Sequence, residues 1–336
     1  MKQELIITVT ADSSHRRGLQ SALLYALVYL CLTASAPAQT SRTESAMSYL
    51  DRGNSWVRKG ELNRAIEDYS LGLAFDPNSA DLYYNRGMAR LHKRDQDGAA
   101  EDLTRAIRLN SRLFEAWTNR GHIRYLKGDF DGTISDSSAA IEINPRVAEA
   151  WHNRGLALRE KGKLDAALTD FNQAIKLKPR VAEIWNSRGA VRHLTGDLDG
   201  ALGDQTEAIR LNPHFAGAWL DRGAAHFAKG ELEAALSDYN KSIELDPGCA
   251  DAWFNRAMLQ RTKGDFQRAL ADFDQAITLN PLNAHAWGQR GIAKLLLGRE
   301  TEAQSDFDEC LRLSPEMRLS LESLITQTKQ QLKSKQ

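Results

Sequence analysis

Hydrophobic and small residues recur along this chain with a period of 34 residues. Large aromatic side chains return at that interval eight times, namely at Tyr49, Tyr83, Trp117, Trp151, Trp185, Trp219, Trp253 and Trp287. Seven of the eight prolines recur at the same interval, and Ser111 occupies the one position in that series where proline is missing. A period kept this strictly over most of the chain indicates tandem copies of one structural unit.

Within each copy the pattern predicts two helices. If the aromatic is numbered position 4, glycine recurs at position 8, a small residue at position 20, and Leu or Ile at position 28. These spacings place small and large residues on one buried helical face. Glycine at position 15, replaced only by Arg94, predicts the end of the first helix, and the acid that often follows predicts the start of the second. Pairs such as Asn144-Pro145 then end the second helix.

This pattern resembles the tetratricopeptide repeat family, which places an aromatic at position 4, Gly at 8, Ala at 20, an aromatic at 24 and Pro at 32. The resemblance implies an all-α fold, a right-handed α-solenoid superhelix of eight 34-residue helix-turn-helix repeats plus a C-terminal capping helix. The predicted repeats are 48–81, 82–115, 116–149, 150–183, 184–217, 218–251, 252–285 and 286–319, which together span 48–319. A short linker, 39–47, precedes them, and the capping helix, 320–336, follows.

The N-terminal segment has the layout of a secretory signal peptide. Basic residues precede an apolar run at 22–32, and small residues follow it up to Ala38. We therefore expect residues 1–38 to be removed and the protein to be exported, periplasmic or secreted. The alternatives are a membrane anchor formed by residues 20–35 and a misplaced start codon.

Composition narrows the classes of partner. The chain carries 44 basic and 44 acidic side chains, so no overall charge favours nucleic acid or an anionic membrane. The sequence contains no phosphate-binding loop, nucleophile elbow or zinc motif. We expect no enzymatic activity, no cofactor, no metal and no small-molecule substrate, and a membrane contact only if the N-terminal segment is uncleaved. The expected partner is a protein or peptide.

Every copy also carries Arg at position 7 and Asp at position 23, whereas the family commonly has Leu at position 7. One cation and one anion in each hairpin predict a structural ion pair across or between repeats, rather than an active site. The central members are Arg120, Asp136, Arg154, Asp170, Arg188 and Asp204.

The binding surface should be the face of the first helices opposite positions 4, 8 and 11. Position 6 there is short and polar, including Asn85, Asn119, Asn153 and Asn255. It resembles the asparagine ladder with which superhelical family members hold extended peptides. The alternative is that these residues merely follow the family consensus.

Other groove positions carry charge and aromatic rings. Glu149 and Glu183 belong to an acidic series that favours a ligand with Lys or Arg, or that instead offsets the helix dipole. Residue types that often anchor interfaces flank this acidic series, namely Tyr84, Tyr125, Arg159, Phe227 and Phe254. The alternative for the aromatic rings is that they pack between repeats. The positions of His122 and His152 on successive first helices could bring them together, but they lack a further ligand at metal-binding spacing.

The sequence therefore predicts a non-catalytic protein–protein interaction scaffold that binds an extended peptide or partner subunit in its concave groove. Two alternatives stay open at this stage. One is the substrate-recognition subunit of a separately encoded enzyme such as a glycosyltransferase, and the other is an architectural spacer.

Overall fold

The structure is a computed structural model that describes residues 45–334. Within that range the chain forms 17 α-helices and one short 3-10 helix, and it contains no strand. The predicted signal peptide and most of the linker lie outside the described residues, so export stays a prediction. None of the helices in 45–334 is long and apolar enough to cross a membrane.

The helices belong to two compact units, and the chain passes from the first to the second between Pro77 and Asn78. The described part of the first unit is one hairpin of α1 (Ala46–Arg58) and α2 (Leu62–Phe75). The second unit contains seven hairpins, which are α3 (Ala80–His92) and α4 (Gln96–Leu109), α5 (Phe114–Leu126) and α6 (Phe130–Ile143), α7 (Ala148–Glu160) and α8 (Leu164–Leu177), α9 (Ala182–Leu194) and α10 (Leu198–Leu211), α11 (Ala216–Ala228) and α12 (Leu232–Leu245), α13 (Ala250–Thr262) and α14 (Phe266–Leu279), and α15 (Ala284–Leu296) and α16 (Glu300–Leu313). A 3-10 turn (Pro315–Met317) then leads into α17 (Arg318–Lys333).

Within the second unit, each hairpin packs its two helices together, and its second helix packs against the first helix of the next hairpin. From α5 onward the first helices of successive hairpins also contact one another. The first helices therefore form one layer and the second helices another, which confirms the predicted all-α solenoid class.

The helices begin two residues earlier than the predicted repeat windows. α3 starts at Ala80, whereas its window starts at 82, and the same offset recurs in every hairpin. The reason is that the turn after the proline is short: Asn78 and Ser79 complete it, and the Ser79 hydroxyl already accepts the Leu82 N–H at 3.3 Å. The frame with the aromatic at position 4 therefore coincides with the helix starts, and α17 likewise begins at Arg318 rather than 320.

The turn between the two helices of a hairpin depends on backbone that only glycine adopts easily. Seven copies have glycine at position 15 with φ between 70° and 83°, and Arg94 takes a φ of 65° in the eighth. The second helix is then capped where the next residue is aspartate, as when Asp129 accepts the Gly132 N–H at 2.8 Å. Glu61 and Glu231, whose side chains are longer, make no such cap.

The core of a hairpin lies where position 8 of its first helix meets position 24 of its second. A Cβ on Gly155 would lie 2.7 Å from the Phe171 ring, so only glycine permits this approach. Ala167, Phe171 and Ala174 are fully buried around it. This packing aims positions 7 and 11 at the second helix, where Arg188 and Arg192 both reach Asp204, and it leaves positions 2 and 6 facing away from it.

Candidate functional site

The Arg–Asp pairs lie inside each hairpin and join its two helices. Arg188 donates to Asp204 through Nε at 2.8 Å and Nη2 at 2.6 Å, and the Asp204 side chain is only 2% exposed. Arg120 with Asp136 and Arg154 with Asp170 have the same two-pronged geometry, with donor–acceptor distances of 2.7–2.9 Å. Their charges are therefore neutralised inside the fold.

From Arg120 to Arg290, the remaining nitrogen of the position 7 arginine connects its hairpin to the preceding one. Arg188 Nη1 donates to Asn172 Oδ1 of the preceding hairpin at 2.6 Å, and Arg154 Nη1 reaches the Ser138 hydroxyl at 3.1 Å. The sequence reasoning missed this partner position, yet a signal for it exists. Position 25 is a hydroxyl, an amide or a carboxylate in every copy, namely Ser70, Thr104, Ser138, Asn172, Thr206, Asn240, Asp274 and Asp308.

The recurring aromatic at position 4 and the recurring proline form a second connection between neighbouring hairpins. Trp185 Nε1 donates to the Pro179 carbonyl at 2.9 Å, and the Arg188 guanidinium lies 4.9 Å from the centroid of the Trp185 ring. The same indole hydrogen bond recurs in all six copies that have tryptophan at position 4, and the Ser111 carbonyl takes the place of the proline carbonyl for Trp117. These residues hold one hairpin to the next and are not free to bind a partner.

The face of the first helices that points away from the second helices contains a pocket of about 500 Å³ between α5 and α7. Both apolar and polar groups of the predicted groove line it. They are Phe114, Glu115, Thr118, Asn119, His122, Val147, Glu149, His152 and Asn153.

Two predicted asparagines are fixed in this pocket by hydrogen bonds from their amide nitrogens. Asn119 Nδ2 donates to the Glu115 carbonyl at 2.8 Å, and Asn153 Nδ2 donates to the Thr118 carbonyl at 3.3 Å. Neither side-chain oxygen accepts a hydrogen bond from any residue in 45–334. The two amides are therefore oriented with an acceptor still available.

The other two predicted asparagines lie outside the pocket. Asn85 lies on α3, one hairpin before the pocket, and its amide donates to the Asp81 carbonyl at 2.8 Å. Asn255 occupies the same position on α13, and its side chain makes no hydrogen bond within the described part of the chain.

The two histidines of the pocket are predominantly neutral. Burial lowers the pKa of His152 to about 4, with the charges of His122 and Arg159 acting in the same direction. Its Nε2 lies 3.0 Å from the Ser187 hydroxyl. Burial also lowers the pKa of His122. Among residues 45–334, no group of three or more His, Cys, Asp or Glu side chains could hold a metal ion.

The carboxylates at the rim of the groove differ in whether they are already paired. Burial is the largest single influence on the pKa of Glu149 and raises it, but the hydrogen bond from Lys178, a backbone hydrogen bond and nearby positive charge together outweigh burial, so the net shift is downward. The carboxylates of Glu115 and Glu183 have no hydrogen bond or ion pair among the described residues. Glu115 lies in the pocket and also raises the pKa of Tyr84, although burial of that phenol is the larger cause.

The predicted anchor residues divide between the groove and the core. Tyr125 accepts a hydrogen bond from Arg159 at 3.4 Å, which joins α5 to α7 beside the pocket. Tyr84 meets Asn119 at 3.5 Å. Phe254 packs against Phe273 with 5.9 Å between ring centroids. Phe227 packs on the buried cluster of Ala235, Tyr239 and Leu259. The rings of Phe227 and Phe254 therefore take part in packing within the fold.

Family models match this pattern along the chain. Models described as TPR repeat match residues 53–93 and 155–196. Models described as tetratricopeptide repeat match 80–112, 138–169, 216–249, 250–283 and 284–317. The chain belongs to the tetratricopeptide repeat family. A search of curated proteins found no match.

Solved structures share the tetratricopeptide repeat fold at low sequence identity. A chain of the APC/C hetero-tetramer Cut9-Hcn1 is 14% identical with a TM-score of 0.66, over 94% of this chain and 60% of that chain. A tetratricopeptide repeat protein from Parabacteroides merdae is 16% identical with a TM-score of 0.58, covering 79% of this chain and 98% of that one. Pseudomonas aeruginosa pilF is 18% identical with a TM-score of 0.54, covering 60% and 92%. This chain therefore spans 60% of the length of the Cut9-Hcn1 chain.

Proposed function

We propose that this tetratricopeptide repeat scaffold binds an extended peptide segment of a partner protein in the pocket between α5 and α7. The family supports a role in protein–protein interaction. One observation carries the finer proposal: the pocket presents two fixed, unoccupied amide oxygens beside an apolar surface and an unpaired carboxylate.

Each part of the pocket suits one part of a peptide. The free oxygens of Asn119 and Asn153 are placed to accept backbone N–H groups, which gives affinity without dependence on sequence. Phe114 and Val147 offer an apolar wall. The unpaired Glu115 favours a Lys or Arg side chain, whose aliphatic stem can lie on that wall while its charged end meets the carboxylate.

Selection from a random peptide library displayed against the protein tests this proposal. We expect enrichment of segments in which Lys or Arg neighbours an apolar residue. The double variant Asn119→Ala, Asn153→Ala should bind the selected peptides about tenfold or more weakly, because two hydrogen bonds are lost. Glu115→Gln should reduce the preference for a basic residue, and Glu142→Gln, an exposed site on α6, is the matched control.

The contact face is tested separately by photocrosslinking. A benzoylphenylalanine at His122, in the pocket lining, should crosslink a selected peptide, and one at the exposed Ser135 on α6 should not. Crosslinking from Ser135 alone, or equal binding by the asparagine double variant, would contradict the proposal.

A further inference from the structure

A second pocket lies beside the C-terminal helix and has the opposite charge. It measures about 430 Å³ and lies between the end of α13, the start of α14, α15 and α17. Its lining includes Arg261 and Lys263 and contains no aspartate or glutamate. The helix predicted only to cap the last repeat therefore also forms the wall of a cavity.

Arg261 is the unusual group in this pocket. Nearly every other arginine on the first helices of the second unit holds a carboxylate or a neighbouring hairpin, whereas the Arg261 guanidinium has no hydrogen bond or ion pair among residues 45–334. Its side chain is half-buried, and burial lowers its pKa. A partly desolvated cation with five unused donors is costly unless something pairs with it. Arg159, at the same position three hairpins earlier, is paired with Glu160.

The rest of the lining shows what could approach this cation. Phe266, Ile292, Leu296 and Leu324 form an apolar floor. Gln327 and Gln331, one turn apart on α17, also line the pocket, and their amides make no hydrogen bond within the described residues. Lys263 is already paired with Glu233 at 2.6 Å, so Arg261 is the free charge.

We propose that this pocket binds the carboxylate of an aspartate or glutamate side chain within an extended partner segment, with Arg261 as the counter-ion. The planar guanidinium matches a carboxylate with two parallel hydrogen bonds. The two glutamine amides supply further donors, and the apolar floor accepts a neighbouring apolar side chain. This proposal rests on the proposed peptide-binding function. It adds a second subsite beside α17, whose charge is opposite to that of the pocket between α5 and α7.

Short blocked peptides test the subsite in the full-length protein. One heptapeptide, acetylated and amidated, carries a central Leu-Glu pair among alanines, and its analogue carries Leu-Gln. We expect the glutamate peptide to bind about tenfold or more tightly than the glutamine peptide by isothermal titration calorimetry, since a charge-assisted pair is lost in the analogue. The Arg261→Gln variant should bind the two peptides equally. Arg112→Gln, at an exposed arginine elsewhere in the second unit, should keep the difference.

Two further comparisons make the result decisive. Arg261→Lys keeps the charge but loses the planar fork, so an intermediate difference is expected. A third peptide carries the Leu-Gln pair and a free C-terminal carboxylate. Tighter binding of that peptide than of the glutamate peptide would overturn the side-chain assignment.

Equal binding of the glutamate and glutamine peptides by the unmodified protein would also overturn the proposal, as would a difference that survives Arg261→Gln. The comparison of glutamate with glutamine in the unmodified protein does not depend on the folding of any variant. None of these outcomes bears on the pocket between α5 and α7, because its test uses different residues and library-selected peptides.

Discussion

At the scale of single residues, buried carboxylates are held by more than one cation. Asp204 accepts two hydrogen bonds from Arg188 and also lies 3.0 Å from Arg192 Nη1. Burying such charges costs free energy that their mutual attraction roughly offsets, so a complete pair adds little net stability. Removing one partner is different, because it leaves a buried charge unpaired.

We therefore predict that Asp204→Asn lowers the free energy of unfolding by about 3 kcal/mol. The change keeps the shape of the side chain but leaves two arginines facing each other. Urea unfolding followed by tryptophan fluorescence measures the effect. Glu207→Gln, in an exposed pair with Arg210, is the control and should change stability by less than about 0.5 kcal/mol. Equal effects of the two substitutions would contradict this account of the buried pair.

A second prediction at the residue scale concerns pH. Burial lowers the pKa of His152 to about 4, with smaller contributions from His122 and Arg159 in the same direction and from Glu149 against it. The unfolded chain, with an ordinary value near 6.5, binds more protons between pH 4 and 6.5. Stability from neutral His152 is therefore complete above about pH 6.5 and is lost as the pH falls towards 4.

The size of this loss is at most about 3 kcal/mol across that range. Thermal unfolding of the protein and of His152→Gln between pH 4 and 7 measures it, and the variant should show the smaller dependence on pH. His214→Gln, at an exposed histidine, is the control and should behave like the unmodified protein. Parallel curves for the unmodified protein and His152→Gln would show that His152 does not carry the effect.

At the scale of the helical hairpin, the distance between its two helices depends on glycine at position 8. Gly155 faces the Phe171 ring, and Gly223 faces Tyr239 in the same way. In the α9–α10 hairpin the residue opposite Gly189 is Gln205, and an added Cβ would have 3.2 Å of clearance from its side chain. An added Cβ would therefore make its shortest contacts where an aromatic ring faces the glycine, although the α13–α14 hairpin packs Ala257 in one buried cluster with Phe273.

Two glycine substitutions separate this packing effect from helix propensity. Gly155→Ala should destabilise the protein by about 1–3 kcal/mol, because the new methyl group overpacks against Phe171. Gly203→Ala lies in the interior of α10, where nothing lies within 4 Å of the added Cβ, and should stabilise by up to about 1 kcal/mol. Chemical denaturation measures both changes. Opposite signs are expected, and stabilisation by Gly155→Ala would contradict the packing argument.

The hairpin is also the scale at which sequence predicts structure best here. The residue types of Trp185, Gly189 and Gly196 recur at the same positions in nearly every copy. The order of the helices, the turns and the Arg188–Asp204 pair could therefore be anticipated from this spacing. The period cannot reveal features that are peculiar to one copy. Phe254, predicted to anchor a partner, packs on Phe273. Arg261 lines a pocket beside α17 without a partner among the described residues, whereas Arg159 at the same position of its hairpin is paired with Glu160.

At the scale of the second unit, each hairpin contacts its neighbours through repeated local connections rather than through one shared core. The indole of Trp185 and the third nitrogen of Arg188 both reach only the preceding hairpin. Stability in such an array is approximately a sum of hairpin and nearest-neighbour terms. The two pockets can therefore be altered independently, and a change at the end of the unit should remain local.

The C-terminal helix allows that expectation to be tested. Leu321 on α17 is 4% exposed and lies in the same buried cluster as Ile292 and Phe307, whereas Leu319 is 80% exposed. Leu321→Ala should therefore cost about 2–3 kcal/mol locally, and Leu319→Ala should change stability by less than about 0.5 kcal/mol. Hydrogen exchange with mass spectrometry should show faster exchange in α15, α16 and α17 of the Leu321 variant and unchanged exchange in α5 to α8. A uniform loss of protection across α5 to α8 would mean that the second unit unfolds as one cooperative body, because the lost contact would then be transmitted beyond neighbouring hairpins.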